Sequence, residues 1–147
     1  MKKGANMRFA GIDYWAVFLA AIAGYLVGAL WYWVLGKPWM AALDLTETMV
    51  KGKDQKPSPL PYVLAFVADL IMAWVLAGLI GHLGIGQVTL TNGVISAAFV
   101  WFGFVITTLI VNNSFAMRKP ILIAIDGGHW LAVLLLMGAI IGAMGVK

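Results

Sequence analysis

Cysteine is absent from the chain, which excludes disulfides, thiolate metal sites and cysteine nucleophiles together. Charge is nearly as scarce: Asp, Glu, Lys and Arg supply 11% of the residues, against roughly a quarter in soluble domains. Serine is confined to Ser58, Ser96 and Ser114, none of them on a nucleophile elbow. A phosphate-cradling glycine loop and a His-Glu-x-x-His helix are also missing. No catalytic residue, cofactor or metal is therefore expected, and the chain is not read as an enzyme.

What is present is apolar. Hydrophobic residues make up 63% of the sequence and the mean hydropathy is +0.94. The few charges gather in the N-terminus, in one loop and at Arg118-Lys119, and they leave long uncharged runs between them. That pattern belongs to an integral membrane protein, whose first partner is the lipid bilayer. The net charge of +4 then reports loops lying against anionic lipid. No basic stripe interleaved with aromatics occurs, so nucleic acid is not expected as a partner.

Residues 14–35, 60–80, 90–111 and 121–145 each reach the ~20 residues that a spanning helix needs. The basic start has the look of a signal peptide, but an uncharged run of about 33 Å over residues 14–35 is too long for a signal segment and reads as a retained span. Lipid offers no partner for an unpaired backbone group, so the spans are helices. Short second and third links make neighbouring helices antiparallel. The expected architecture is all-α, one domain over residues 1–147, an antiparallel bundle of four transmembrane helices with one long loop at 36–59. Asp13 reads as the N-cap of the first helix.

With four spans, the loop at 36–59 and the third link share one face of the membrane, called side B, and the termini share the other, side A. Lys37, Lys51, Lys53, Lys56, Arg118 and Lys119 lie on side B, and Lys2, Lys3, Arg8 and Lys147 on side A. The total favours a cytoplasmic side B, whereas the basic start of the first span favours the reverse, so orientation stays open.

Small residues four apart let helix backbones approach each other in lipid. Gly24 and Gly28 continue such a stripe in the first span, and Gly138 and Gly142 form one in the fourth. In the second span the stripe runs Ala65, Asp69, Ala73, Ala77 and Gly81, which points Asp69 away from lipid. At 1.5 Å per residue from side B, Asp69 lies about 13 Å deep, Asp126 about 8 Å and His129 about 12 Å, one layer by this measure. Asp126, His129 and Trp130 share a helical face. Thr107 on the third span, Asn112 and Asn113 about two turns above it in the third link, and Tyr32 within Trp31-Tyr32-Trp33 on the first offer polar groups to the same half of the membrane. Trp74, Trp101 and Trp130 sit near mid-span, where each indole N–H needs an acceptor.

Charges at depth are costly unless paired or wetted, and they mark functional sites by default. The expected function is binding or passage of a small polar solute, an ion or a proton through a polar cavity lined by Asp126, His129, Asp69, Asn112, Asn113, Trp130, Tyr32 and Thr107. The alternative is a non-catalytic accessory or scaffolding subunit of a larger membrane complex, in which the same groups only lock helices together. The surplus of small-residue stripes points to a homo-oligomer.

"GALWYWVLGKPWMAAL" carries Gly28, Ala29, Trp31, Tyr32, Gly36, Lys37 and Trp39, and "IDGGHW" spans Ile125 to Trp130. In both stretches the chain resembles the bacterial membrane family catalogued as domain of unknown function 1761. That family shows Gly-Ala-x-Trp-Tyr at the end of its first helix, a Gly-Lys-x-Trp link, and an Asp-Ala/Gly-Gly element in its fourth. The resemblance implies four helices, a bacterial inner membrane and a polar element in the fourth helix. It implies no substrate.

Overall fold

The computed structural model describes residues 11–52 and 56–145. Lys2, Lys3, Arg8, Lys53 and Lys147, which enter the count of basic residues, lie outside the described residues. In chain order the elements are α1 (Tyr14–Ala42), α2 (Glu47–Lys51), α3 (Leu60–Gly81), α4 (Leu90–Val100), a π-helical turn (Trp101–Val105), α5 (Ile106–Phe115) and α6 (Pro120–Met144). The π turn joins α4 and α5 into one continuous span, so four helices are long and apolar enough to cross a membrane. The fold is an all-α four-helix membrane bundle.

Local chemistry sets the ends. Asp13 caps α1 by accepting the Trp15 N–H at 3.0 Å, and Thr46 and Thr89 cap α2 and α4 in the same way. Pro59, Leu60 and Pro61 open α3, and Pro120 opens α6 at a position where a missing N–H costs nothing. The tight link from α3 to α4 uses Gly84 and Gly86 at φ +102° and +80°, a backbone region that a side chain disfavours.

α6 lies at the centre, packed along α1 on one side and α4 on the other, while α3 packs chiefly on α1. The largest fully buried side chains among the described residues are Leu76 and Ile80 from α3 and Val133, Leu134 and Met137 from α6. Against them lie the small residues Ala16, Ala20, Ala21 and Gly24 of α1. Gly24 faces Val133 and Met137 across the α1–α6 contact. On the other side, a Cβ at Gly138 would strike the Gly93 carbonyl, and one at Gly142 the Thr89 carbonyl. Backbone therefore meets backbone where α4 crosses α6. These glycine seams join helices of one chain, so they give no argument for a contact between copies.

Two boundaries differ from the sequence reading. The first helix does not stop at Leu35 but runs through Gly36, Lys37 and Pro38 to Ala42, which shortens the long loop and leaves α2 inside it. A proline inside a helix removes one ladder bond; here the turn it sits in is held by tertiary contacts of Trp39, described below. The third span likewise continues past Val111 to Phe115. At side B, Lys119 donates to the Ala41 carbonyl at 3.0 Å and pairs with the Asp44 carboxylate, tying the end of α1 to the start of α6. Asp44 holds this position with φ at +57°.

Candidate functional site

The segment from Ile125 to Trp130 occupies the side-B half of α6, where α1 and the π turn close on it from two directions. Asp126 sends one carboxylate oxygen to both partners it finds on α1. Its Oδ1 accepts the Tyr32 hydroxyl at 2.7 Å and the Trp39 indole N–H at 3.1 Å. Tyr32 and Trp39 are seven residues apart, two turns on one helical face, and their rings meet edge to face at 5.7 Å. The extension of α1 through Pro38 is what puts Trp39 on that face.

The two glycines make the approach possible. A Cβ at Gly128 would lie 2.9 Å from the Trp31 ring, and one at Gly127 would lie 2.7 Å from Ile106 Cδ1. With no side chains there, Trp31 donates its indole N–H to the Ile125 carbonyl at 3.0 Å, and Trp101 donates to the Gly127 carbonyl at 2.8 Å. Trp101 opens the π turn. Such single-turn insertions recur where a helix must re-aim a side chain, and this one brings an indole from the third span onto the α6 backbone.

His129 is enclosed by this arrangement. It is 7% exposed, its ring centroid lies 4.6 Å from Trp130, 5.0 Å from Tyr32 and 6.5 Å from Trp31, and its Nε2 points at Gly28, where a Cβ would come within 2.9 Å. Among the described residues its Nδ1 is buried without a hydrogen-bond partner. Native proteins seldom leave such an atom unmatched, and the exceptions gather where a group handles a proton or a ligand. Chemically the cluster offers a carboxylate with one oxygen engaged twice and an imidazole that can donate or accept.

Other residues singled out in the sequence stand elsewhere. Thr107 donates to the Gly103 carbonyl at 2.9 Å and Asn113 to Leu109 at 2.9 Å, both within their own helix, and Asn112 is exposed. Trp74 is exposed on the outer face of α3. Asp69 is buried, but no described residue hydrogen-bonds to it. It is also not level with the cluster. The Tyr25 and Phe66 rings meet at 5.7 Å and His129 faces Gly28, so with α1 as the ruler Asp69 falls near residue 22, about two turns or on the order of 10 Å deeper than His129. The single layer inferred from helix starts is corrected accordingly. Depth counted from each helix's first residue assumes that all helices start at one height, and α3 starts lower on α1 than α6 does. Among the described residues no three His, Asp or Glu side chains converge as metal ligands.

Of the indole donors, Trp101 was expected from its mid-span place to need an acceptor and Trp31 to reach this half of the membrane, though neither was counted among the site residues; the part played by Trp39 was not read from sequence. The spacing of Tyr32 and Trp39 was the available signal, masked by ending the helix at Leu35. Trp31, Tyr32 and Trp39 from the first motif and Asp126, Gly127, Gly128 and His129 from the second thus assemble into one unit, although about 90 residues separate them. No curated protein and no solved structure matches the chain. A family model described as a protein of unknown function, DUF1761, matches residues 15–142, and the chain belongs to that family.

Proposed function

We propose that the cluster of Asp126, Tyr32, Trp39 and His129 binds a small polar solute, a cation or a proton in the side-B half of the bundle, without catalysing a reaction. The observation that carries this reading is His129: a nine-tenths buried imidazole with an unpartnered nitrogen, next to a carboxylate and enclosed by aromatic rings, is an expensive arrangement for a purely structural purpose. The site belongs to a multi-pass membrane protein, placed in a bacterial inner membrane on this reading. Self-association is part of the same proposal. It runs through the third span, the least enclosed of the four, where Gly103 has open space beside it.

The test is proton flux into proteoliposomes, followed with an internal pH dye, alongside a thermal-shift screen of small inorganic and organic cations. Asp126→Asn and His129→Asn are expected to abolish the flux or the shift while circular dichroism shows the helix content retained, the thermal midpoint of Asp126→Asn falling only by what the weakening of its two hydrogen bonds costs. Loss of stability without any binding or flux in the parent would count against it.

One observation favours a second reading, that of an accessory subunit. Asp126 already has two donors on α1, and rings fill the space around His129, as a helix lock requires. On that reading purification in native lipid recovers a partner protein in fixed ratio, and Asp126→Asn lowers stability alone.

A further inference from the structure

Asp69 differs from Asp126 in each respect that governs its chemistry. It belongs to the stripe Asp69, Ala73, Leu76, Ala77 and Ile80 that α3 turns into the bundle, and it is 5% exposed. No described residue donates a hydrogen bond to it. The buried face that α1 offers to the bundle is Ala16, Val17, Ala20, Ala21 and Gly24, which holds neither a side-chain oxygen nor a positive charge. The titratable groups on the elements packed around α3 are few. On α1, Tyr14 and Lys37 lie toward the two ends, the Tyr32 hydroxyl is bonded to Asp126, and Tyr25 meets the Phe66 ring edge to face without a hydrogen bond to Asp69; Asp126 and His129 of α6 lie about two turns nearer side B, and α4 has none.

An ion buried in apolar surroundings without donor or counter-charge neutralises rather than remain charged. A metal cation demands several oxygen ligands, and this surface offers the one carboxyl group. A proton is the ligand that a single carboxyl completes, because the acid form is neutral and carries its own O–H donor. We infer that Asp69 is a proton-binding site separate from the Asp126 cluster, occupied while α3 is closed on α1 and exchanging only when water reaches the contact between these two helices. The inference does not rest on what Asp126 binds, and the two are read by different variants.

Infrared spectroscopy of the full chain in lipid nanodiscs at neutral pH tests it. A carbonyl stretching band of a protonated carboxylic acid is expected, absent in Asp69→Asn, unchanged in Asp126→Asn, and slow to shift in deuterated buffer. A spectrum without the band, or a band that survives in Asp69→Asn and vanishes in Asp126→Asn, overturns the assignment. A second measurement covers a weak spectrum: unfolding by denaturing detergent in weakly buffered neutral solution should release about one proton per chain fewer from Asp69→Asn than from the parent. Equal release overturns it as well.

Discussion

Tyr32→Phe removes one atom from the cluster and leaves its packing in place. The ring contacts with His129 at 5.0 Å and with Trp39 at 5.7 Å need no hydroxyl; the 2.7 Å bond to Asp126 Oδ1 does. A hydrogen bond to a charged group contributes about 1.5–3 kcal/mol, and one between neutral groups about 0.5–1.5 kcal/mol. Trp39 still donates to the same oxygen at 3.1 Å, so the carboxylate is not orphaned and the lower part of the first range, about 1.5–2 kcal/mol, is expected. In an Asp126→Asn background the acceptor is neutral, and the same Tyr32→Phe change should cost less. The difference between the two backgrounds is a coupling of about 1 kcal/mol, within the usual range for residues in contact. Reversible unfolding in mixed micelles, titrated with a denaturing detergent, measures all corners of this cycle. A Tyr32→Phe cost below about 0.5 kcal/mol, or an equal cost in both backgrounds, would show that the hydroxyl is not bonded to Asp126 as described.

Gly138→Leu drives a side chain into the Gly93 carbonyl where α4 crosses α6, and a loss of about 3 kcal/mol or more in stability is expected because rigid backbone cannot yield. Thermal unfolding and native mass spectrometry read this together, and a fully stable but monomeric variant would place Gly138 at a contact between copies instead. Lys119→Ala removes an exposed ion pair with Asp44 and a bond to the Ala41 carbonyl. Its cost should stay below about 1 kcal/mol and shrink further at high salt, so a larger, salt-independent loss in the same unfolding assay would mean that the pair does more than tie two helix ends.

The bundle itself was legible because lipid leaves so few options: long uncharged runs bounded by charged or prolyl links specify helices, their number and their antiparallel order. Gly24, Gly28, Gly138 and Gly142 were legible as packing residues for the same reason, though not the partners they would find. The cluster was legible only in part. Asp126, His129, Tyr32 and Trp130 could be named from charge, aromaticity and spacing. The acceptors that Trp31 and Trp101 find could not, and Trp39 could not be placed at all, since a proline at position 38 reads locally as a helix end and nothing local shows that Asp126 and Tyr32 hold the next turn in place. The π turn at Trp101–Val105 carries no proline or charge to announce it. Relative helix height, which separates Asp69 from His129, is set by side-chain contacts between distant segments and has no signature in any one of them.

The distribution of hydrogen bonds divides the bundle into helices joined by side-chain bonds and a helix, α3, joined over Leu60–Gly81 by packing. α6 is bonded to α1 through Asp126 with Tyr32 and Trp39, through the Ile125 carbonyl with Trp31, and at the surface through Lys119; the Gly127 carbonyl adds the third span through Trp101. Within Leu60–Gly81 no described side chain hydrogen-bonds to another helix. Over Leu60–Gly81, α3 is therefore held by van der Waals contact of its alanine stripe, of Leu76 and Ile80, and of the Phe66 ring on Tyr25, and in lipid such contact has no hydrophobic drive behind it. Each interhelical bond contributes about 0.5–1.5 kcal/mol, so several of them in series should put the opening of α6 a few kcal/mol above that of α3. Hydrogen exchange in nanodiscs reads the order: amides of residues 66–73 should exchange before those of residues 125–132, since local opening energies set the rate. Tyr32→Phe should narrow the gap by speeding α6 and leave α3 unchanged. Exchange of the α6 segment first, or of both segments together in the parent protein, would mean that the bonds around Asp126 do not set which helix moves.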